Sequence, residues 1–204
     1  MDKFVRLTAK ACPLDIENLN TDQLVPARYL KRPRAAGFAE ALLHDLRFDA
    51  EGRERPDFPL NQPAWRDARV MVGRRNFGCG SSREAAVYAL WDYGIRCVIA
   101  PSFGDIFAGN AVQNGLLTAM VGDDEAAALI RLLRQDPERP LIVDLDQQTI
   151  NCGERTFGFA IDPVRRTRLL NGWDDIALTG SYRDTIAAFK AADRKRRPWA
   201  VPAQ

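Results

Sequence analysis

The fold is indicated most directly by residues 68–93, which read ARVMVGRRNFGCGSSREAAVYALWDY. Residues 68–73 are a short apolar run that predicts a β-strand, and a glycine-rich turn follows. Four residues beyond the turn recur at the spacing of one helical face: Ala86, Ala89, Leu90 and Tyr93. This spacing predicts a helix over residues 82–93, so the order is strand, glycine turn, helix.

The turn at Gly78, Cys79 and Gly80 is expected to bind an anion. The first backbone N–H groups of a helix are unpaired and lie at the positive end of its dipole, and Arg83 adds a fixed positive charge. A small ligand with a carboxylate or phosphate group suits such a site. The structural alternative is that an S-x-x-E capping box begins at Ser81 and that Arg83 is a solvated helix residue.

Two common nucleotide motifs fail in this stretch. Gly73 and Gly78 have the spacing that opens a Walker A loop, but Cys79 and Gly80 stand where Lys and Ser or Thr are required. The dinucleotide fingerprint fails because Arg83 occupies the position of its third glycine. A stand-alone nucleotide-binding domain is therefore disfavoured.

Four segments, in one order, resemble a known family. Residues 76–84 (NFGCGSSRE) are similar to the active-site loop of the small subunits of 3-isopropylmalate dehydratase, which are the swivelling domain of the aconitase superfamily made as a separate chain. Residues 20–32 (NTDQLVPARYLKR) resemble the substrate loop of that family. Residues 92–117 resemble its central strand and helix, and residues 169–176 (LLNGWDDI) resemble its C-terminal signature.

The resemblance implies an α/β fold, a three-layer β/β/α swivelling domain like the aconitase C-terminal domain. It implies a hydro-lyase subunit that isomerises 2-isopropylmalate and 3-isopropylmalate through isopropylmaleate in leucine biosynthesis. It also implies a partner, a large subunit that carries a [4Fe–4S] cluster, with no cofactor bound by this chain itself. The substrate is then a small dicarboxylate.

The same resemblance assigns roles to residues of the site. Ser81 is expected to be the base that removes the α-proton, and Asp22 to orient the site or relay that proton. Ser82 and Arg83 are expected to bind a substrate carboxylate, Arg83 as a bidentate donor where the geometry allows.

The second carboxylate is expected to bind a basic residue of the segment 28–34, for which Arg32 is our choice. Tyr29 and Leu30 are expected to contact the apolar substituent of the substrate.

One position departs from the family pattern. Ala85 stands where the family usually has histidine, and Gly104, Ala108 and Gly109 differ from the commoner residues of the next motif. Two alternatives stay open: a paralogous hydratase subunit for another diacid, of the citraconate or dimethylmaleate type, and a non-catalytic subunit that stabilises its partner.

Composition favours an ordinary cytoplasmic protein. The chain has 204 residues, 46% hydrophobic and 27% charged, with a formal net charge of +2. This balance gives no indication of a nucleic-acid partner, and no run of about 18 apolar residues predicts a membrane span. The N-terminus lacks the apolar core of a signal peptide.

No metal site is expected in this chain. The four cysteines are scattered without a C-x-x-C pair, and there is one histidine, His44. Cys97 lies in an apolar run and is expected in the core. Cys79 is expected to be a small packing residue, with a reactive thiol as the alternative.

We expect a single domain over residues 1–204. Its surface excursion would span about residues 49–67, which are polar and proline-rich, and its C-terminal tail from about residue 194 to 204 is expected to be flexible. The other expected elements are one strand over 4–14, a loop over 18–26, a short helix over 36–43, strands 96–100 and 116–121, helices 103–114 and 123–134, a hairpin over 141–152, a strand near 154–161, and helices from 163 to 171 and from 184 to 193.

Overall fold

The computed structural model describes residues 1–200. Within it the chain forms two compact units, Met1–Gly172 and Trp173–Gln204. The predicted end of the tail, residues 201–204, lies outside the described residues. That both units belong to the single domain expected over residues 1–204 stays a prediction.

The first unit contains two four-stranded sheets. Its strands are β1 (Arg6–Ala9), β2 (Ala11–Pro13), β3 (Val70–Val72), β4 (Cys97–Ala100), β5 (Leu117–Met120), β6 (Leu141–Asp144), β7 (Thr149–Cys152) and β8 (Arg155–Gly158). The order β2-β3-β4-β5 is parallel throughout, and the order β1-β6-β7-β8 is antiparallel throughout.

The chain also forms eight α-helices among the residues that the structure describes. They are α1 (Thr21–Leu24), α2 (His44–Arg47), α3 (Glu84–Tyr93), α4 (Asp105–Gln113), α5 (Asp123–Gln135) and α6 (Pro163–Asn171) in the first unit, and α7 (Asp175–Ser181) and α8 (Arg183–Arg196) in the second.

Each face of the parallel sheet has its own core. On one face, Met71 and Val98 join a buried cluster with Leu90 of α3 and Phe107 of α4. On the other face, Val70, Ile99 and Leu117 join a cluster with α5 and with the antiparallel sheet, to which Leu7 and Val143 belong. The strands of the parallel sheet are buried on both faces, as their continuous apolar runs require. The expected three-layer α/β fold is confirmed.

Local signals set several helix ends. Asp162 caps α6 by accepting from the N–H groups of Val164 and Arg165, Pro163 is its first residue, and Gly172 ends it with φ 69°. The observed helix α6 therefore has the bounds that these signals predicted, residues 163–171.

Other expectations about the elements are corrected. The single strand expected over 4–14 is two strands, one in each sheet, and the loop over 18–26 contains α1. The helix expected over 36–43 is a pair of 3₁₀ turns, with α2 beginning at His44. The sequence analysis also missed α7, and α8 extends to Arg196, into the segment expected to be a flexible tail.

The excursion over residues 49–67 also contributes to the core, contrary to prediction. Leu60 is fully buried, and Asn61 accepts from the buried Arg47 Nε at 3.0 Å and donates to the Arg47 carbonyl at 2.6 Å. Burial lowers the pKa of Arg47. The buried polar side chains of Arg47 and Asn61 thus have hydrogen-bond partners, as buried polar groups require.

Candidate active site

Three loops meet beyond the carboxyl ends of neighbouring parallel strands. Residues 14–20 follow β2, residues 73–83 follow β3 and residues 101–104 follow β4. In an open α/β sheet this is the edge where ligands bind, because the loops that leave adjacent strands converge there. The resemblance-based site residues on the first two loops are thus brought together by topology.

The loop after β2 holds the glycine turn on one side. The Gly78 N–H donates to Leu19 O at 2.7 Å, and the Thr21 N–H donates to Cys79 O at 2.9 Å. The Thr21 hydroxyl donates to Ser81 O at 2.9 Å. Thr21 is only 2% exposed, so this bond is protected from water and fixes the peptide of the predicted base.

The loop after β4 holds the turn on the other side. The Phe77 N–H donates to Ser102 O at 3.0 Å, and the Gly104 N–H donates to Phe77 O at 2.9 Å. The Asn76 N–H donates to the Ser102 hydroxyl at 2.8 Å, and Asn76 has a φ of 61°. A non-glycine residue in this region is uncommon and marks a turn whose surroundings dictate its shape.

Two glycines allow the backbone to approach its neighbours. Gly78 has a φ of 71°, and a Cβ there would lie 2.3 Å from the Phe107 ring. A Cβ on Gly104 would lie 2.5 Å from Gly78 O. Because neither position tolerates a side chain, the glycines determine how closely α4 and the turn pack.

The contacts of Gly78 bear on its expected role in an anion-binding turn, which stays a prediction. Its N–H donates to Leu19 O and is therefore not free for a bound anion. The roles of Cys79 and Gly80 in an anion-binding turn stay predictions.

The structure rejects the capping-box alternative for Ser81. Helix α3 begins at Glu84, and its N-cap is Arg83, with no side-chain capping bond. The predicted start at residue 82 is therefore also too early. Ser81 and Ser82 are both exposed, on the segment that immediately precedes the positive end of α3. Ser81 is consequently available for chemistry.

Arg83 and Asp22 form an ion pair at the same place. Arg83 Nη2 lies 2.8 Å from Asp22 Oδ1, and Arg83 Nη1 donates to Val25 O at 3.4 Å. The Arg83 side chain is 18% exposed and that of Asp22 is 60% exposed. The Arg83 side chain is thus fixed by its contacts beside the exposed Asp22 carboxylate, and it is not a solvated helix residue.

The other predicted substrate residues contact their own loop. The Arg32 guanidinium donates to Gly37 O at 3.2 Å and pairs with Glu40, and it stacks 5.2 Å from the centre of the Tyr29 ring. Tyr29 is partly buried against the core, whereas Leu30 is 40% exposed. Their contacts with substrate stay predictions.

Sequence reasoning missed the residues that brace the site. Thr21 was the most informative omission, and a signal for it existed. Asn20 and Gln23 form a reciprocal capping box at the start of α1, the pattern N-x-x-Q. This box fixes Thr21 and Asp22 in the first turn of α1. There the Thr21 hydroxyl donates to Ser81 O, and the Asp22 carboxylate pairs with Arg83.

Comparison with known proteins gives the family. A model of the aconitase C-terminal domain matches residues 1–123. A 3-isopropylmalate dehydratase small subunit of Rhodospirillum centenum is 46% identical over 202 residues, which cover 98% of this chain and all of the relative. The chain belongs to the family of 3-isopropylmalate dehydratase small subunits.

Further relatives agree with this family membership. The small subunit from a Jannaschia species is 44% identical over 98% of this chain and all of its own length. A solved structure of 3-isopropylmalate dehydratase from Methanocaldococcus jannaschii has a TM-score of 0.64 and 26% identity, covering 91% of this chain and 99% of that one. The subunit is thereby a hydro-lyase component of the aconitase superfamily, as the sequence motifs indicated.

Ala85, where we noted a departure from the dehydratase pattern, lies in the first turn of α3. It is partly buried and packs against the core cluster beside α3. Nothing in the structure gives this side chain a polar role.

Among residues 1–200 the structure shows no candidate metal centre. No group of three or more His, Cys, Asp or Glu side chains in the described part of the chain is placed to hold a metal ion. Cys12, Cys97 and Cys152 are buried, and burial raises the pKa of each thiol. The Cys79 thiol is partly buried and donates to Asn18 O at 3.5 Å, which fits a packing role. Residues 1–200 also contain no helix with the length and hydrophobicity of a membrane span.

Proposed function

We propose that this subunit supplies one wall of a dehydratase active site, with Ser81 as the base and Arg83 as the carboxylate-binding residue. The reaction is the interconversion of 2-isopropylmalate and 3-isopropylmalate through isopropylmaleate, in leucine biosynthesis in the cytoplasm. The observation that carries the assignment is that Ser81 makes no helix cap and stands beside the Arg83–Asp22 pair.

Ser81 takes the proton from the carbon next to a substrate carboxylate. A hydroxyl is a weak base unless its alkoxide is stabilised, so the surroundings must supply positive potential. The start of α3 and the Arg83 guanidinium provide it. The Thr21 hydrogen bond to Ser81 O keeps the hydroxyl-bearing residue in place during the transfer.

Arg83 binds the carboxylate that flanks the reacting carbon, and Ser82 donates a second hydrogen bond to it. A guanidinium offers two parallel N–H donors to a carboxylate, which fixes orientation as well as charge. In the structure Asp22 Oδ1 lies 2.8 Å from Arg83 Nη2, so one carboxylate oxygen already contacts the guanidinium before a substrate binds. Asp22 then shares the guanidinium and is free to relay the proton.

The loop around Tyr29 is proposed to close over the remainder of the substrate. Arg32 leaves Glu40 to bind the second carboxylate, because its present ion pair is on the surface and costs little to exchange. Tyr29 and Leu30 contact the isopropyl group.

The leaving hydroxide needs a Lewis acid, and residues 1–200 contain no group of three or more His, Cys, Asp or Glu side chains placed to hold a metal ion. We propose that a [4Fe–4S] cluster on the large subunit supplies it, as the family resemblance implies. The name of the relatives, small subunit, supports the existence of that partner.

The test is anaerobic hydratase activity of the chain alone and mixed with its large subunit. Isopropylmaleate and citraconate are supplied in parallel, because Ala85 leaves a paralogous substrate as a second candidate. We expect activity in the mixture only, with isopropylmaleate preferred. A preference for citraconate would move the assignment to the paralogous enzyme, and equal activity of the large subunit without this chain would support a non-catalytic role.

A further inference from the structure

A second cavity lies at the opposite end of the parallel sheet from the candidate active site. Its volume is about 160 Å³. Three of its lining residues stand immediately before strands, with Arg69 before β3, Arg96 before β4 and Gly115 shortly before β5. The site loops, in contrast, leave the other ends of the same strands.

The lining carries an excess of positive charge. Its charged side chains are Lys3, Arg6, Arg69, Arg96 and one carboxylate, Asp2. The chain as a whole is nearly neutral, with a net charge of +2, so this concentration is local. Cations gathered on a concave surface raise the local concentration of anions.

Three of these cations lack a side-chain partner among residues 1–200, unlike most arginines of that part of the chain. Within residues 1–200, no ion pair or side-chain hydrogen bond joins Lys3, Arg6 or Arg69 to another residue. Elsewhere the pattern is the reverse, since the guanidinium groups of Arg28, Arg34 and many others each hold a carboxylate. The positive charges of Lys3, Arg6 and Arg69 in this cavity are therefore not neutralised by ion pairs within residues 1–200.

Arg96 gives the cavity a fixed wall. Its guanidinium lies 3.6 Å from the centre of the Trp91 ring, and one terminal nitrogen donates to Trp91 O at 2.8 Å and to Ile95 O at 2.9 Å. Burial and then the neighbouring charge of Arg69 lower the pKa of Arg96. Nη1 alone makes these bonds, so its orientation is set while other N–H groups stay available.

We propose that this cavity binds a small oxyanion, a phosphate or carboxylate group held by Arg6, Arg69 and Arg96. Its volume is below that of pockets for drug-sized ligands, so a small ion fits and a nucleotide does not. Planar guanidinium groups suit either kind of oxyanion, because both offer paired acceptor oxygens. The proposal is independent of the proposed function.

The experiment is calorimetric titration of the full chain with inorganic phosphate at constant ionic strength. The wild type is compared with a double variant, Arg6→Gln with Arg69→Gln. Both side chains are exposed and unpaired, so the variant is expected to fold. Arg131→Gln, at an exposed position on α5, is the matched control for the loss of a positive charge.

We expect one saturable phosphate site in the wild type and in Arg131→Gln, and binding weaker by about tenfold or more in the double variant, because charge-assisted hydrogen bonds are lost. With Arg83→Gln added to each protein, to remove the anion-binding arginine of the proposed active site, saturable phosphate binding and its loss in the double variant should persist, which separates this cavity from the active site. The proposal is overturned by non-saturable binding in the wild type, by equal affinity in the double variant, or by loss of binding in Arg83→Gln.

Succinate titrated in parallel into Arg83→Gln, which lacks the carboxylate-binding arginine of the proposed active site, distinguishes the two ligand types. Tighter binding of phosphate would assign a phosphoryl ligand, and tighter binding of succinate a carboxylate. If the cavity instead binds an acidic segment of another protein, neither phosphate nor succinate should bind to it saturably. That result would overturn the proposal.

Discussion

The two ends of the parallel sheet use positive charge in different ways. At the carboxyl end, Arg83 is held by Asp22 and Val25, and the backbone around it is fixed by hydrogen bonds from two loops. At the amino end, the side chains of Arg6 and Arg69 make no ion pair or hydrogen bond within residues 1–200, and both line the cavity. A catalytic site must hold its groups in one geometry before substrate arrives, whereas a binding cavity needs mainly the right charge and size.

The largest expected effect is at the fixed end. Ser81→Ala should lower kcat of the complex with the large subunit by on the order of 10³-fold, because the proton acceptor is lost. Its thermal stability should stay close to wild type, since the Ser81 side chain makes no cap and is exposed. Steady-state kinetics with isopropylmaleate measure the first effect, and turnover near that of the wild type would remove Ser81 from the mechanism.

Arg83→Lys sharpens the comparison by keeping the charge and removing the planar fork. We expect kcat/KM to fall by about 10²-fold, because an ammonium cannot bind a carboxylate through two parallel donors. The same conservative change at Arg69, where geometry is less fixed, should lower phosphate affinity much less. Equal losses at both positions would contradict the contrast between the two ends.

The close packing of the turn predicts a stability effect. Gly104→Ala places a Cβ 2.5 Å from Gly78 O, so we expect the free energy of unfolding to fall by about 2–3 kcal/mol. Gly109→Ala is the control, inside the helix α4 that Gly104 precedes as its N-cap, because its Cβ would meet no atom within 4 Å. It should be neutral or stabilising by up to about 1 kcal/mol. Urea unfolding measures both, and a Gly104→Ala protein as stable as the control would show that the turn adapts.

Thr21 tests whether the brace on Ser81 matters to the chemistry. Thr21→Val removes the donor to Ser81 O with little change of shape, and we expect kcat to fall about tenfold with KM nearly unchanged. Thr21→Ser should restore the rate. A purely structural role would lower stability in both variants without this split between kcat and KM.

The smallest effect concerns acid stability. The hydrogen bond from Arg74, followed in effect by the charges of Arg74 and Arg134, lowers the pKa of Asp15 below its ordinary value. A carboxyl whose folded pKa is depressed stabilises the protein above its unfolded pKa, and this stability is lost as pH falls through the folded value. Asp15→Asn should therefore reduce stability at pH 7 by less than about 1 kcal/mol and flatten its decline below about pH 4. Unfolding curves at pH 7 and pH 3 that shift equally in the variant would contradict this.

Much of the fold could be predicted because its signals are local. The strands around β3 and β4 are short apolar runs, and α6 has its aspartate cap, its proline and its terminal glycine in sequence. The family, with its hydro-lyase activity, could be predicted from four ordered motifs, which the full-length relatives confirm. These features depend on residues that lie close together along the chain or in a preserved order.

Only the tertiary structure decided which residues far apart in sequence contact one another. Ser81 fits a capping box in sequence, yet α3 begins only at Glu84. The turn before it is instead hydrogen-bonded to Thr21 on one loop and to Ser102 on the other. Part of the polar excursion is buried, at Leu60 and Asn61, where Asn61 accepts a hydrogen bond from the buried Arg47 side chain. The cavity at Arg69 and Arg96 depends on strands far apart in sequence meeting side by side. The sequence by itself determined the elements and the family; their register and contacts across the sheet determined which side chains face one another, because those contacts join residues that no local pattern connects.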